Sequence, residues 1–147
     1  MEKDLFPLVQ RKLQEHKAIC ASHGLFFRVV SAYRSLEDQS ALYNQPFDHK
    51  DNDGDGKIDE ADEKVTNAKA GESYHNWRCA YDIVPIVNGK AKYDDAILAA
   101  IGYYGQKIGL EWGGSWASFP DAPHFQYTLG YTFKDFMSKK VDLKKFQ

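Results

Sequence analysis

The sequence predicts an α+β fold: a small, mainly antiparallel sheet with helices packed on it. Two stretches carry apolar residues at helical spacing, one near the start and one around residues 97–108. Between and after them lie short runs rich in β-branched and aromatic residues. Asn88-Gly89, flanked by such residues, is a hairpin signal, because both positions tolerate the positive φ of a tight turn. Strands that return through hairpins, with helices segregated from them, give this layered class.

In chain order, Leu5, Leu8, Val9, Leu13, His16, Ile19 and Cys20 form the first helical face, which Gly24 ends. His16 on that face reads as packing. Phe26 to Ala32 reads as a strand. Ser35, followed by Asp38, resembles a capping box that opens a short helix through Leu42 and Tyr43. Arg34 then falls at a strand-to-helix turn, where side chains commonly face a cleft. Cys79 to Val87 is the next strand, turning at Asn88-Gly89. Asp94 or Asp95 opens a helix carrying Ile97, Leu98, Ile101, Tyr104 and Ile108. Leu110 to Trp112 and His124 to Thr128 are the last strands, and the tail is helical at Phe133, Phe136 and Met137.

At 147 residues the chain suits one domain, 1–147, with an insert at about 48–63. Hydrophobic residues at 43% supply a core, and charged residues at 27% supply a soluble surface. A net charge of −2 gives no reason to expect nucleic-acid binding. Lys139, Lys140, Lys144 and Lys145 form the one basic cluster and read as a solvated surface. Cys20 and Cys79 read as buried free thiols, since two cysteines are too few for a disulfide framework. No stretch has the length of a membrane span, and the first residues lack the apolar core of a secretory signal. The expectations are a monomer without membrane or nucleic-acid partners.

The chemistry concentrates in two segments. Ser73 to Asp82 offers an imidazole, His75, and a carboxylate, Asp82, seven residues on; the second segment offers His124 with Asp121 three residues before it. Two His and one Asp suffice for a zinc site with an open fourth position, and Asp121 is left over as a general base. On spacing alone the alternative is histidines satisfied at the surface or in the core. The His-Glu-x-x-His helix signature is absent, so any site must be assembled from separate strands and loops.

The insert is a second candidate. Asp51, Asp53, Asp55, Asp59 and Asp62 place oxygen donors at the first, third, fifth, ninth and twelfth positions of an EF-hand-like loop. Lys57 would add its backbone carbonyl, Gly56 sits at the sharp turn, and Ile58 anchors the loop. Such hard donors suit Ca²⁺. Asp62 stands where glutamate would reach further, which weakens Ca²⁺ binding or favours Mg²⁺ unless the neighbouring Glu63 compensates. The alternative is a solvated acidic loop. Lying between the Arg34 helix and His75, a Ca²⁺-ordered loop is expected to stabilise or switch on the site.

Taken together the motifs resemble a known family. The run Ser73-x-His75-x-x-x-x-Ala80-x-Asp82 resembles the Ser-x-His-x-x-Gly-x-Ala-x-Asp motif of the zinc D-Ala-D-Ala carboxypeptidase/VanY-type peptidases (M15), in particular the L-alanyl-D-glutamate branch that includes phage endolysins. Ser31-Ala32-Tyr33-Arg34-Ser35 with Gln39, Val65 to Lys69, Glu111 to Trp116, and Phe119 to Gln126 extend the likeness in the family's order, from Phe26 to Gln126. The resemblance implies a Hedgehog/DD-peptidase-like fold and a peptidoglycan stem-peptide substrate. It implies His75, Asp82 and His124 on zinc, Asp121 as base, and Arg34 as oxyanion stabiliser or substrate anchor. Ser73 is expected to donate a hydrogen bond to substrate, and Trp77, Trp112 and Trp116 either wall the cleft or pack in the core. The expected activity is cleavage of L-Ala-D-Glu by a bacteriolytic endolysin, made in the cytoplasm without a signal and reaching the wall after release. The alternatives are a D-Ala-D-Ala carboxypeptidase of bacterial wall metabolism, or a non-catalytic zinc- and calcium-stabilised wall-binding domain. One position departs from the family: Arg78 replaces Gly. Either the backbone there needs positive φ, or the Gly makes room and Arg78 points into the cleft to alter substrate preference.

Overall fold

The computed structural model describes residues 1–44 and 68–147. The calcium-loop residues Asp51, Asp53, Asp55, Lys57, Asp59 and Asp62 lie outside the described residues, as do Val65, Thr66 and Asn67.

Helix α1 (Pro7–Ala21) opens on a proline whose fixed φ suits a first helical turn. Its buried residues Val9, Leu13, His16 and Cys20 recur at three- and four-residue intervals and so form one stripe. Strand β1 (Phe26–Ser31) leads to α2 (Leu36–Tyr43), where the Ser35 hydroxyl accepts from the Asp38 amide at 3.0 Å. A 3-10 turn at Tyr74–Trp77 precedes strand β2 (Ala80–Val87) and the short β3 (Lys90–Ala91). Asn88 and Gly89 between them have φ of 52° and 78°, the paired positive values that a tight hairpin turn requires. Helix α3 (Asp95–Lys107), capped by Asp94, is followed by β4 (Glu111–Trp112), β5 (His124–Gln126) and α4 (Phe133–Met137).

The strands form one sheet among the described residues, ordered β1-β2-β5-β4 with β3 paired to β2, and every pair is antiparallel. Side chains alternate faces along a strand. Tyr81, Ile83, Phe125 and Trp112 therefore share the face covered by α1 and α3, where Tyr81, Ile83 and Phe125 are fully buried. Full burial of residues such as Ile83 and Phe125 stabilises the fold by about 1.5–3 kcal/mol each. Helix α3 lies close to the sheet because Gly102 carries no side chain: a Cβ there would sit 2.3 Å from the Trp112 ring. Asp82, His124, Gln126 and Glu111 alternate onto the opposite face, which α1 and α3 leave open.

Several expected boundaries move. The first strand ends at Ser31, because the Ala32 carbonyl turns to accept from His75 Nδ1 at 2.7 Å. The second begins at Ala80, because Cys79 closes the preceding turn through its amide to Tyr74 O at 3.2 Å. The last two strands are shorter than expected, Glu111–Trp112 and His124–Gln126. Cys20 and Cys79 are both buried and free, and burial pushes their thiols up to about 11 and about 12. His16 is fully buried: its Nε2–H donates to the Ile101 carbonyl at 2.9 Å, and its Nδ1 accepts from Tyr81 OH at 2.9 Å. Among the described residues no helix is long and apolar enough to cross a membrane.

Candidate active site

The register of β2 and β5 sets Asp82 directly opposite His124. His124 Nδ1 lies 3.2 Å from Asp82 Oδ1, and His75 Nε2 lies 3.2 Å from Asp82 Oδ2. The three ligand-capable atoms fall within 4.8 Å of one another, so residues far apart in sequence converge on one point. The two imidazoles meet edge to face at 5.0 Å between centroids.

His75 is delivered by the short turn before β2. The Ser73 hydroxyl caps that turn, accepting from the His75 amide at 3.3 Å. Arg78 ends it in the left-handed conformation, φ 62°. The family's glycine is thus explained by backbone geometry. The Arg78 guanidinium does not enter the cleft: it lies 4.0 Å over the Tyr33 ring and donates to the Asp4 carbonyl at 2.8 Å. A carbonyl only accepts, so the contact to Ala32 O puts the proton of His75 on Nδ1 and leaves Nε2 with a lone pair toward Asp82.

Burial opposes charge on Asp82, yet His124 and His75, which donate to it when protonated, outweigh burial and hold this carboxyl well below the usual carboxylate range. Burial likewise works against a charged His124, and the hydrogen bond to Asp82 reverses that and raises it. A carboxylate flanked by two imidazole nitrogens, each ring anchored through its other nitrogen, is a donor set that fits a tetrahedral cation such as zinc.

Arg34 and Asp121 line the same cleft, of about 780 Å³, together with Ser73, Trp116 and Phe119. Arg34 is clamped to the turn that bears His75 through its main chain: its amide donates to His75 O at 3.0 Å, and its carbonyl accepts from Asn76 Nδ2 at 2.9 Å. Its guanidinium donates to Gln39 Oε1 at 2.8 Å, and buried Gln39 donates in turn to Ala68 O at 2.6 Å. Burial raises the Asp121 carboxyl, and the charge of Asp82 pushes it further, against the pull of His124, His75 and Arg34. That direction suits a group that must take and return a proton near neutrality.

Of the three tryptophans, Trp116 faces the cleft, 5.1 Å from the His124 ring. Trp77 stacks on Phe136, and Trp112 packs on α3 with its indole N–H donating to Ala122 O at 2.7 Å. Sequence reasoning gave no role to Gln126 and Glu111. Their signal was alternation: Gln126 is two residues past His124 on a strand and therefore shares its face.

A sheet face that gathers two imidazoles and a carboxylate at a cleft, beside a second carboxylate and an arginine, is the arrangement of a metallopeptidase. The sequence agrees: residues 66–127 match the family profile described as D-alanyl-D-alanine carboxypeptidase. The chain is also 31% identical over 138 residues to the peptidoglycan L-alanyl-D-glutamate endopeptidase CwlK of Bacillus subtilis (strain 168), across 84% of this chain and 73% of that one. The chain belongs to the M15 peptidase family. Its fold matches that of the Serratia marcescens L-Ala D-Glu endopeptidase ChiX, with a TM-score of 0.62 at 21% identity over 92% of this chain and 86% of that one. It also matches a vancomycin-resistance D,D-pentapeptidase, VanY, solved in complex with Zn(II), with a TM-score of 0.59 at 16% identity over 94% and 80%.

Proposed function

We propose that this chain is a zinc-dependent peptidase of the peptidoglycan stem peptide, cutting the L-Ala-D-Glu bond. The observation that carries the reading is the convergence of His75 Nε2, Asp82 and His124 Nδ1 beside Asp121 and Arg34. The likeness to CwlK supports the choice of bond.

His75, Asp82 and His124 would hold the zinc ion, which when bound polarises a scissile carbonyl and acidifies water. Asp121 accepts the proton of the attacking water and returns it to the leaving amine. Arg34 is the one Lys or Arg among the described residues lining the cleft. It anchors a substrate carboxylate or stabilises the developing oxyanion. Ser73 keeps its hydroxyl hydrogen for substrate, because its oxygen lone pair serves the turn. Asp51, Asp53, Asp55, Lys57, Asp59 and Asp62 bind Ca²⁺ in this proposal on the strength of their sequence pattern alone. Calcium titration of Asp51→Ala and Asp53→Ala variants tests that part, and activity unchanged from the parent protein removes it. Service as a phage endolysin is the physiological extension, tested by lysis on co-expression with a membrane-permeabilising holin.

The decisive experiment is mass spectrometry of purified peptidoglycan digested by the zinc-loaded protein, beside a His75→Ala control. New L-Ala carboxyl and D-Glu amino termini are expected only with the active protein. Released D-Ala would instead assign a carboxypeptidase. Intact peptidoglycan would overturn the proposal.

A further inference from the structure

Behind His124, on the side away from Asp82, stands a pair of residues that the proposed chemistry does not use. His124 Nε2 lies 2.8 Å from Gln126 Oε1, and Gln126 Nε2 donates to Glu111 Oε2. Glu111 and Gln126 are direct cross-strand partners in the β4–β5 ladder, so the sheet itself sets them side by side. Gln126 is buried; Glu111 is exposed.

A glutamine amide has an accepting end and a donating end, and nothing intrinsic decides which faces the imidazole. With its oxygen toward His124, the neutral ring carries its proton on Nε2, and Nδ1 keeps a lone pair facing Asp82 and the cleft. With the amide reversed, its NH₂ donates to Nε2, the proton moves to Nδ1, and that lone pair is gone. An ionised Glu111 accepts hydrogen bonds and donates none. It therefore accommodates the first orientation and rejects the second, which would set two oxygens against each other.

We infer that Glu111 is a positioning residue for the metal site: through Gln126 it selects the His124 tautomer whose Nδ1 can bind a cation. This rests on the metal reading of His75, Asp82 and His124 proposed above. His75 reaches the same end differently, through a main-chain carbonyl with a single possible polarity. The tautomer of one imidazole is thus built into the backbone, and that of the other depends on a side chain outside the cleft.

Glu111→Gln tests this at nearly constant shape, because its amide can present either end to Gln126. Long-range ¹H–¹⁵N spectra of the zinc-free full chain, at a pH where His124 is neutral, are expected to show a larger share of the Nε2–H form in the parent protein than in Glu111→Gln, with the Asp82 carboxylate 3.2 Å from Nδ1 favouring Nδ1–H equally in both. The zinc dissociation constant, measured by chelator competition, is expected to rise about 10-fold. The swapped variant Glu111→Gln/Gln126→Glu places the acceptor-only group against His124 directly and is expected to restore both the Nε2–H share and most of the affinity. A merely structural role for Glu111 predicts no such rescue. The same tautomer and affinity in Glu111→Gln as in the parent protein would overturn the inference. Failure of the parent protein to bind zinc or cut peptidoglycan would overturn the functional reading instead, and the zinc-free spectra would still decide the role of Glu111.

Discussion

A Cβ added to Gly113 would lie 2.3 Å from the carbonyl oxygen of Asp121, and the Asp121 amide donates to Gly113 O at 2.9 Å. The segment bearing the proposed base is therefore seated on bare backbone, and the same Cβ would come 3.1 Å from His124 Cβ. Asp121 and His124 thus both pack against the side of Gly113 that carries no side chain.

Gly113→Ala is accordingly expected to destabilise the fold by about 1–3 kcal/mol through overpacking. It should lower turnover further still, because the displaced groups are Asp121 and His124. Thermal unfolding and peptidoglycan hydrolysis measured on the same preparation check this. Parent-like values for both would show that the loop yields without consequence.

Asp121 is not among the three converging ligand atoms, so Asp121→Asn should bind zinc with unchanged stoichiometry. Loss of its proton transfer is expected to cut turnover by about 10²–10⁴-fold. Metal analysis alongside hydrolysis rates separates the two effects, and near-normal turnover would remove Asp121 from the mechanism.

Arg78 is held at φ 62° and directed at Tyr33 and Asp4, away from the cleft. Arg78→Gly relieves the backbone and loses the ring contact, so stability should change by no more than about 1 kcal/mol, with the same bond cut at a similar rate. Arg78→Val puts a β-branched residue in that region and should be distinctly less stable. Altered bond preference in Arg78→Gly would contradict the placement.

Burial holds His16 down at about 4, against 6.5 for a free imidazole, despite the Ile101 carbonyl that favours its charged form. The unfolded chain therefore takes up a proton before the folded one does. The full contribution is present above about pH 6.5 and is lost as pH falls toward 4, a drop of about 3 kcal/mol. His16→Gln, which can still bond both Tyr81 and Ile101, should flatten that slope. Urea unfolding at pH 7 and 4.5 measures it, and equal slopes for the two proteins would dismiss His16 as the source.

The helices and strands were legible because each leaves a local trace. The stripe from Val9 to Cys20, the Asn88-Gly89 turn and the Asp94 cap depend on neighbours within a few residues. His75, Asp82, Asp121 and His124 were legible as chemistry, through residue type and spacing. The strand ends were not, because Ala32 leaves the ladder to serve His75, a partner 43 residues away.

Sequence alone thus established the α+β class, the family resemblance and the candidate ligands, since periodicity and motif spacing are properties of the chain. Three-dimensional packing settled which nitrogen of His75 faces Asp82, that Arg78 serves the backbone while Trp116 alone of the tryptophans reaches the cleft, and that Gln126 and Glu111 stand behind His124. Those outcomes depend on strand register and on the polarity of hydrogen bonds between distant segments, which no local pattern encodes.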